Sequence, residues 1–222
     1  MAPSKPPKRQ RRKDARPAEL IEAALQAFSQ TGFGGTKIDD IAELAGVAKG
    51  TVYRYFKTKD ALFEAVVREN ITPLFASLDA VTRDLSGDAS DQLTAIVQRI
   101  YAELIDHPVR RVIMQILIAE GSRFPQLTEF YHAEVIAKGK QILRRVIKHG
   151  IDSGEFRSTP ALRNPEVIMG PAILAAVWKM SFEHAAPLNI KQYLKAHLDI
   201  VLNGLRNRDA QSRATMKLAG KG

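Results

Sequence analysis

From Leu20 to Leu205 apolar residues recur three and four positions apart, and the short alternating β-branched runs that mark strands are nearly absent. A chain written this way can bury its apolar faces only by packing helix on helix, so an all-α fold is expected. The 222 residues allow one large domain or two smaller ones, and 45% hydrophobic content is enough for a buried core.

The first helix is expected to begin near Pro17, with Leu20, Ile21, Ala24, Leu25 and Phe28 as its stripe, and to stop near Thr31, where Gly32 can take a left-handed cap. Thr36, with Asp39 three residues on, has the form of an N-cap for a short second helix carrying Ile38, Ile41, Ala42 and Ala45. Gly46 closes that helix, Lys49–Phe56 forms a shorter third one, and Thr58 caps a long fourth helix that Pro73 should end or kink. Farther on, Val109–Ala119 and Val167–Trp178 are apolar nearly all round, which suits central helices. A long helix is expected from Pro125 to about Ile151, a loop over Gly150–Pro160, and a last helix that frays after Asn207.

Charge is unevenly placed. Of a net +9, residues 1–16 carry +6 (seven basic side chains against Asp14) and residues 204–222 carry +4 (five against Asp209), leaving the body near neutral. Such ends are expected to be disordered basic segments, 1–16 and 208–222, and the first is the better candidate for a phosphate-contacting arm. The absence of cysteine excludes disulfides, thiolate metal sites and cysteine nucleophiles. The five histidines (His107, His132, His149, His184, His197) form no HExxH pattern, and no glycine-rich phosphate loop follows a strand, so neither an enzyme nor a metal or other cofactor is expected. His197 falls in the apolar stripe of the last helix. The longest apolar run, 12 residues, is too short to span a bilayer, and a cytoplasmic protein without membrane association is expected.

Three short helices with a tight turn at Gly46-Val47-Ala48 follow helix-turn-helix grammar, in which one helix braces and the next enters the major groove. On a wheel of the third helix Val52 and Phe56 face the core, whereas Gly50 and Arg54 face away with Thr51 and Tyr53 at their flanks. Gly50 permits close backbone approach, and Arg54 can pair with a guanine edge in bidentate fashion. Tyr53, Tyr55 and Thr51 offer hydroxyls, and Lys49, Lys57 and Lys59 offer charge, to phosphates. The plainer alternative is a three-helix cap with a solvated third helix.

The string GFGGTKIDDIAELAGVAKGTVYRYFKTKDALFEAVV resembles the DNA-binding domain of TetR-family, AcrR-like, transcriptional regulators. The matching residues are Thr36-Lys37, Ile41-Ala42, Ala45-Gly46-Val47, Gly50-Thr51, Tyr53, Tyr55-Phe56, Lys59 and Leu62. The resemblance runs without a gap over about residues 17–67. Ala48 departs from it, standing where the family usually has Ser or Thr.

The resemblance implies a helix-turn-helix domain over 17–62 and a helical ligand-binding and dimerisation domain over 63–207. It implies a homodimer on a palindromic double-stranded DNA operator, released by a small-molecule effector, with contacts from Thr36, Lys37, Ala48, Lys49, Gly50, Thr51, Tyr53, Arg54, Tyr55 and Lys59. The effector pocket is expected among Met114, Phe124, Phe130, Tyr131, Met169 and Trp178, for an apolar or amphipathic molecule. The last two helices are expected to form a four-helix dimer interface through Ala172, Ala175, Leu194, Leu198, Val201 and Leu205. A nucleoid-type DNA coater and an activator of the same family are the alternatives.

Overall fold

The computed structural model describes residues 8–83 and 87–207; the expected C-terminal tail, 208–222, and the first seven residues of the expected arm lie outside them. In chain order the helices are α1 (Lys8–Gly35), α2 (Ile38–Leu44), α3 (Lys49–Tyr55), α4 (Lys59–Arg83), α5 (Ala89–Tyr101), α6 (Pro108–Glu120), α7 (Pro125–Tyr131), α8 (Ala137–Asp152), α9 (Glu166–Ser181) and α10 (Ile190–Leu205). Single π-helical turns follow α5 (Ala102–Asp106) and α7 (His132–Ile136). No strand occurs among the described residues; one isolated bridge pairs Phe156 with Arg206.

The chain divides into two compact units, one of residues up to 72 together with 112–133, the other of 73–111 together with residues from 134 on. The first division falls at Thr72–Pro73. Helix α4 continues through Pro73 instead of ending there.

In the first unit α1 begins ahead of Pro17, and its regular course breaks at Gly32, whose φ of 72° is open to glycine without strain. The break delivers Phe33 into a cluster of rings. Phe28, Phe33 and Phe63 are fully buried, with centroids 5.5–6.2 Å apart, and Phe124 meets Phe33 edge-on at 4.9 Å. Pairs in this geometry contribute about 0.5–1.5 kcal/mol each beyond their area burial. Leu20, Ala24, Ile41, Val52, Leu62 and Leu127 complete the core. Helix α6 is less central than its sequence suggests: Ile113 and Ile116 are buried, but Ile118 is 61% exposed.

In the second unit α5 buries Leu93, Ile96, Val97 and Tyr101, α8 buries Ile142, Leu143, Val146 and Ile147, and α9 buries Ile168, Ala172, Ala175 and Ala176. The expected loop after α8 ties three helices together. Gly150 leaves room for the Phe156 ring, which a Cβ would meet at 2.2 Å. Glu155 accepts the amides of Ala89 (2.7 Å) and Ser90 (2.9 Å), so a carboxylate sits on the N-terminus of α5. Arg157 N–H donates to the Leu205 carbonyl and Asn207 N–H to that of Glu155, which anchors the end of α10. Glu103, on the π-helical turn, pairs with Arg99 (2.6 Å) and with buried Arg110.

Candidate nucleic-acid interface

Helix α3 is aimed by a short chain of local devices. Gly46, at φ 62°, turns the backbone after α2, and the Val47 amide donates to the Ala42 carbonyl at 2.9 Å. Val52 is fully buried and fixes the inner face of α3. The outer face then carries Lys49, Gly50, Tyr53 and Arg54, all exposed, with Thr51 and Tyr55 half-buried at its sides. A Cβ on Gly50 would meet open space, so the glycine leaves the backbone accessible to a partner and serves no internal contact. Ala48 is exposed as the N-cap of α3 and offers no side-chain cap.

Two of the outward cations are held by the protein itself. Lys49 pairs with Asp39 at 2.8 Å, and that hydrogen bond, followed by the carboxylate's charge, raises the lysine's pKa. The Arg54 guanidinium lies 5.0 Å from the Tyr55 ring centroid and reaches its hydroxyl at 3.3 Å. Both pairs are at the surface and are held weakly enough to exchange for a stronger anion.

Thr36 and Lys59 have other tasks than the expected contacts. Thr36 is buried, and its hydroxyl turns back to the Gly32 carbonyl (2.6 Å) and to Thr31 Oγ1 (2.8 Å). The N-cap of α2 is therefore Lys37, whose amide donates to Asp40 Oδ2 at 2.8 Å, while the Lys37 side chain is exposed. Lys59 donates to the carbonyls of Phe33 (2.5 Å), Thr36 (2.8 Å) and, at longer reach, Gly34 (3.5 Å), with its ammonium 4.5 Å from the Phe33 ring centroid. Burial lowers the pKa of Lys59. An ammonium has three donors, so Lys59 has none to spare for a phosphate. The residue that sequence reading missed is Glu120, which caps the same turn: Oε1 accepts from Phe33 N–H at 2.7 Å and Oε2 from Gly34 N–H at 2.6 Å.

The expected pocket residues divide similarly. Met114, Phe130 and Tyr131 belong to the first unit, Met169 and Trp178 to the second. Phe124 is half-buried and packs on Phe33. Phe130 lies under the Arg68 guanidinium at 4.7 Å, and Trp178 Nε1 donates to the Ala186 carbonyl at 2.6 Å beside Phe182. Met114 is buried, and Tyr131 and Met169 are half-buried. The second unit also carries a groove of about 500 Å³ between Phe75 and Asp79 of α4 and Lys138, Gln141, Ile142 and Arg145 of α8, to which none of the expected residues contributes.

On the expected dimer surface, Ala172, Ala175 and Leu205 are buried within the chain, and Leu194, Leu198 and Val201 are half-buried. Helix α9 is apolar all round, so its pattern could not say which face turns inward; the small alanines do, because they let neighbouring helices approach. The exposed apolar residues are instead Val167, Ile173 and Leu174 on α9 and Ile200 on α10. His197 also packs within its own chain, 3.0 Å from the Tyr101 hydroxyl through Nδ1.

A model of the bacterial regulatory proteins of the tetR family matches residues 20–66, and one of the tetracyclin repressor-like C-terminal domain matches residues 83–185. The chain belongs to the TetR family. It is similar to the HTH-type transcriptional repressor KstR2 of Mycolicibacterium smegmatis, 27% identical over 96% of this chain and 100% of that one. With the HTH-type transcriptional regulator RutR of Escherichia coli it shares 43% identity over 36% of this chain and 37% of the relative. The transcriptional regulator FadR of Bacillus subtilis, solved in complex with stearoyl-CoA, has the same fold, with a TM-score of 0.69 at 19% identity over 84% of this chain and 98% of that one. This TetR-family chain is a transcriptional regulator with a helix-turn-helix DNA-binding domain, and its family and relatives are regulators rather than enzymes. Among the described residues no helix is long and apolar enough to cross a membrane.

Proposed function

We propose that this regulator is a repressor that binds a palindromic operator in the cytoplasm as a homodimer and leaves it when a small apolar or amphipathic effector binds. Residues 17–62 serve as the reading head and 63–207 as the effector and dimerisation domain. The outer face of α3 carries this reading: Lys49, Gly50, Tyr53 and Arg54 lie opposite buried Val52, so a bidentate donor, a bare stretch of backbone and a hydroxyl are offered together.

Supporting the homodimer, Val167, Leu174 and Ile200 are more than half exposed, and Gly170 and Gly204 have open space where a Cβ would stand. A partner helix can approach closely at such glycines and cover the apolar side chains around them. Supporting the effector, the α4–α8 groove sets Phe75 and Ile142 beside Lys138 and Arg145, which are themselves paired with Glu134 and Asp79, so an apolar body with a polar head is suited to it. Met169 and Trp178, in the same unit, stay as candidate effector contacts apart from this groove. A similarly folded regulator solved with stearoyl-CoA agrees with the effector, and a relative named as a repressor agrees with repression.

Selection of genomic fragments by the purified protein tests the reading. A shared palindrome ahead of one operon is the expected result, and enrichment with no common motif would favour a general DNA coater. A reporter placed behind the selected site then separates repression from activation.

A further inference from the structure

The turn that leads from α1 into α2 is gripped on both of its chemical sides. Gly32 leaves helical geometry and so turns two consecutive amides, those of Phe33 and Gly34, toward one carboxylate, Glu120, at 2.7 and 2.6 Å. Lys59 takes the carbonyls of Phe33 and Thr36. The fit leaves no slack. A Cβ on Gly32 would stand 2.5 Å from Glu120 Oε1, and one on Gly34 would stand 2.7 Å from Oε2 and 3.2 Å from the Phe124 ring. Gly121, next to Glu120, has the Leu117 carbonyl and the Thr128 methyl within 2.5 Å of where its Cβ would be. Three glycines thus stand where a carboxylate or its supporting turn needs the space.

We propose that Glu120 is a positioning residue for operator binding. By holding the amides of Phe33 and Gly34, its carboxylate fixes the entry of α2, and through the Gly46 turn the direction in which α3 presents Lys49, Gly50, Tyr53 and Arg54. Glu120 is the last residue of α6, the helix that buried Ile113 and Ile116 hold in place. The proposal rests on the regulator reading above. It goes beyond that reading by naming a residue that touches no DNA and yet sets the affinity for it.

Glutamine supplies the sharpest test, because it keeps the shape of Glu120 but can accept from only one amide and turns an NH2 donor toward the other. Full-length wild type, Glu120→Gln, Glu120→Ala and the core variant Ile116→Val are compared by operator-duplex titration, thermal melting and amide exchange at Phe33 and Gly34. Glu120→Gln should lose roughly tenfold in operator affinity, about the worth of one charge-assisted hydrogen bond, with faster exchange at the amide that faces the new NH2. Ile116→Val should lower the melting temperature while leaving operator affinity and those amides as in wild type. Operator binding by Glu120→Gln equal to wild type, or a loss in Ile116→Val as large as in Glu120→Gln, would overturn the proposal. Wild type that does not prefer the operator over a scrambled duplex would instead overturn the regulator reading itself.

Discussion

Lys59 meets Phe33 twice, donating to its carbonyl at 2.5 Å and resting 4.5 Å from the centroid of its ring. A lysine that resembles a phosphate contact in sequence is thereby a strut for the turn ahead of α2. Lys59→Ala leaves carbonyls without donors and removes the cation from the ring, so it should cost about 2–3 kcal/mol of stability. Differential scanning calorimetry reads this directly. A phosphate contact would behave otherwise, with an unchanged melting temperature and a salt slope of DNA binding reduced by about one.

Arg54 and Lys49 should separate specificity from affinity. Arg54→Ala is expected to relax discrimination at one base pair by about 1–3 kcal/mol, measured on a panel of single-substitution operators. Lys49→Ala should weaken all duplexes alike. Because Asp39 holds Lys49 at 2.8 Å, Asp39→Asn should tighten binding to operator and scrambled DNA together and steepen the salt slope.

These local relationships mark what the sequence could and could not tell. Val52 inward and Arg54 outward follow from a single helix wheel, and Gly46 announces its turn by type, so the reading head was legible from adjacent residues. Lys59 and Glu120 act on Phe33 from 26 and 87 positions away, and no local pattern reports such partners. Thr36 was misread for a related reason: its hydroxyl finds the Gly32 carbonyl behind it, and Lys37 takes the capping position ahead. Helix α9 failed differently. Apolar on every side, it gave no moment from which to choose an inner face, and Ala172 and Ala175 turned inward while Leu174 stayed out.

Acid should weaken the fold in two separate windows. Burial lowers the pKa of His197 from its ordinary 6.5, so the unfolded chain binds that proton first. Its contribution is complete above about pH 6.5 and is lost as pH falls toward the folded value. Burial works to raise Glu155, but hydrogen bonds from Ser90 and Ala89, with the charge of His149, outweigh it and hold the carboxyl below its ordinary 4.5. That contribution is present above about pH 4.5 and disappears as pH falls through the lowered value. Urea denaturation across pH should show both limbs. Glu155→Gln should flatten the lower one and cost about 1 kcal/mol at neutral pH through the weakened cap on α5.

Covering of α9 and α10 by a second copy is tested at their exposed apolar residues. Leu174→Glu or Ile200→Glu places a charge where the interface would be dry, and sedimentation should show a monomer whose operator affinity has fallen by orders of magnitude. Ala172→Glu should instead destabilise the subunit, since that position is already buried in its own chain.

The most direct test of the account is titration of the wild-type protein on its selected site and on a scrambled duplex of equal length, at low and physiological salt. Sequence-specific recognition by the outer face of α3 predicts at least about a thousandfold preference for the site at physiological salt, retained when salt is changed. Equal affinities for the two duplexes, falling together as salt rises, would contradict it.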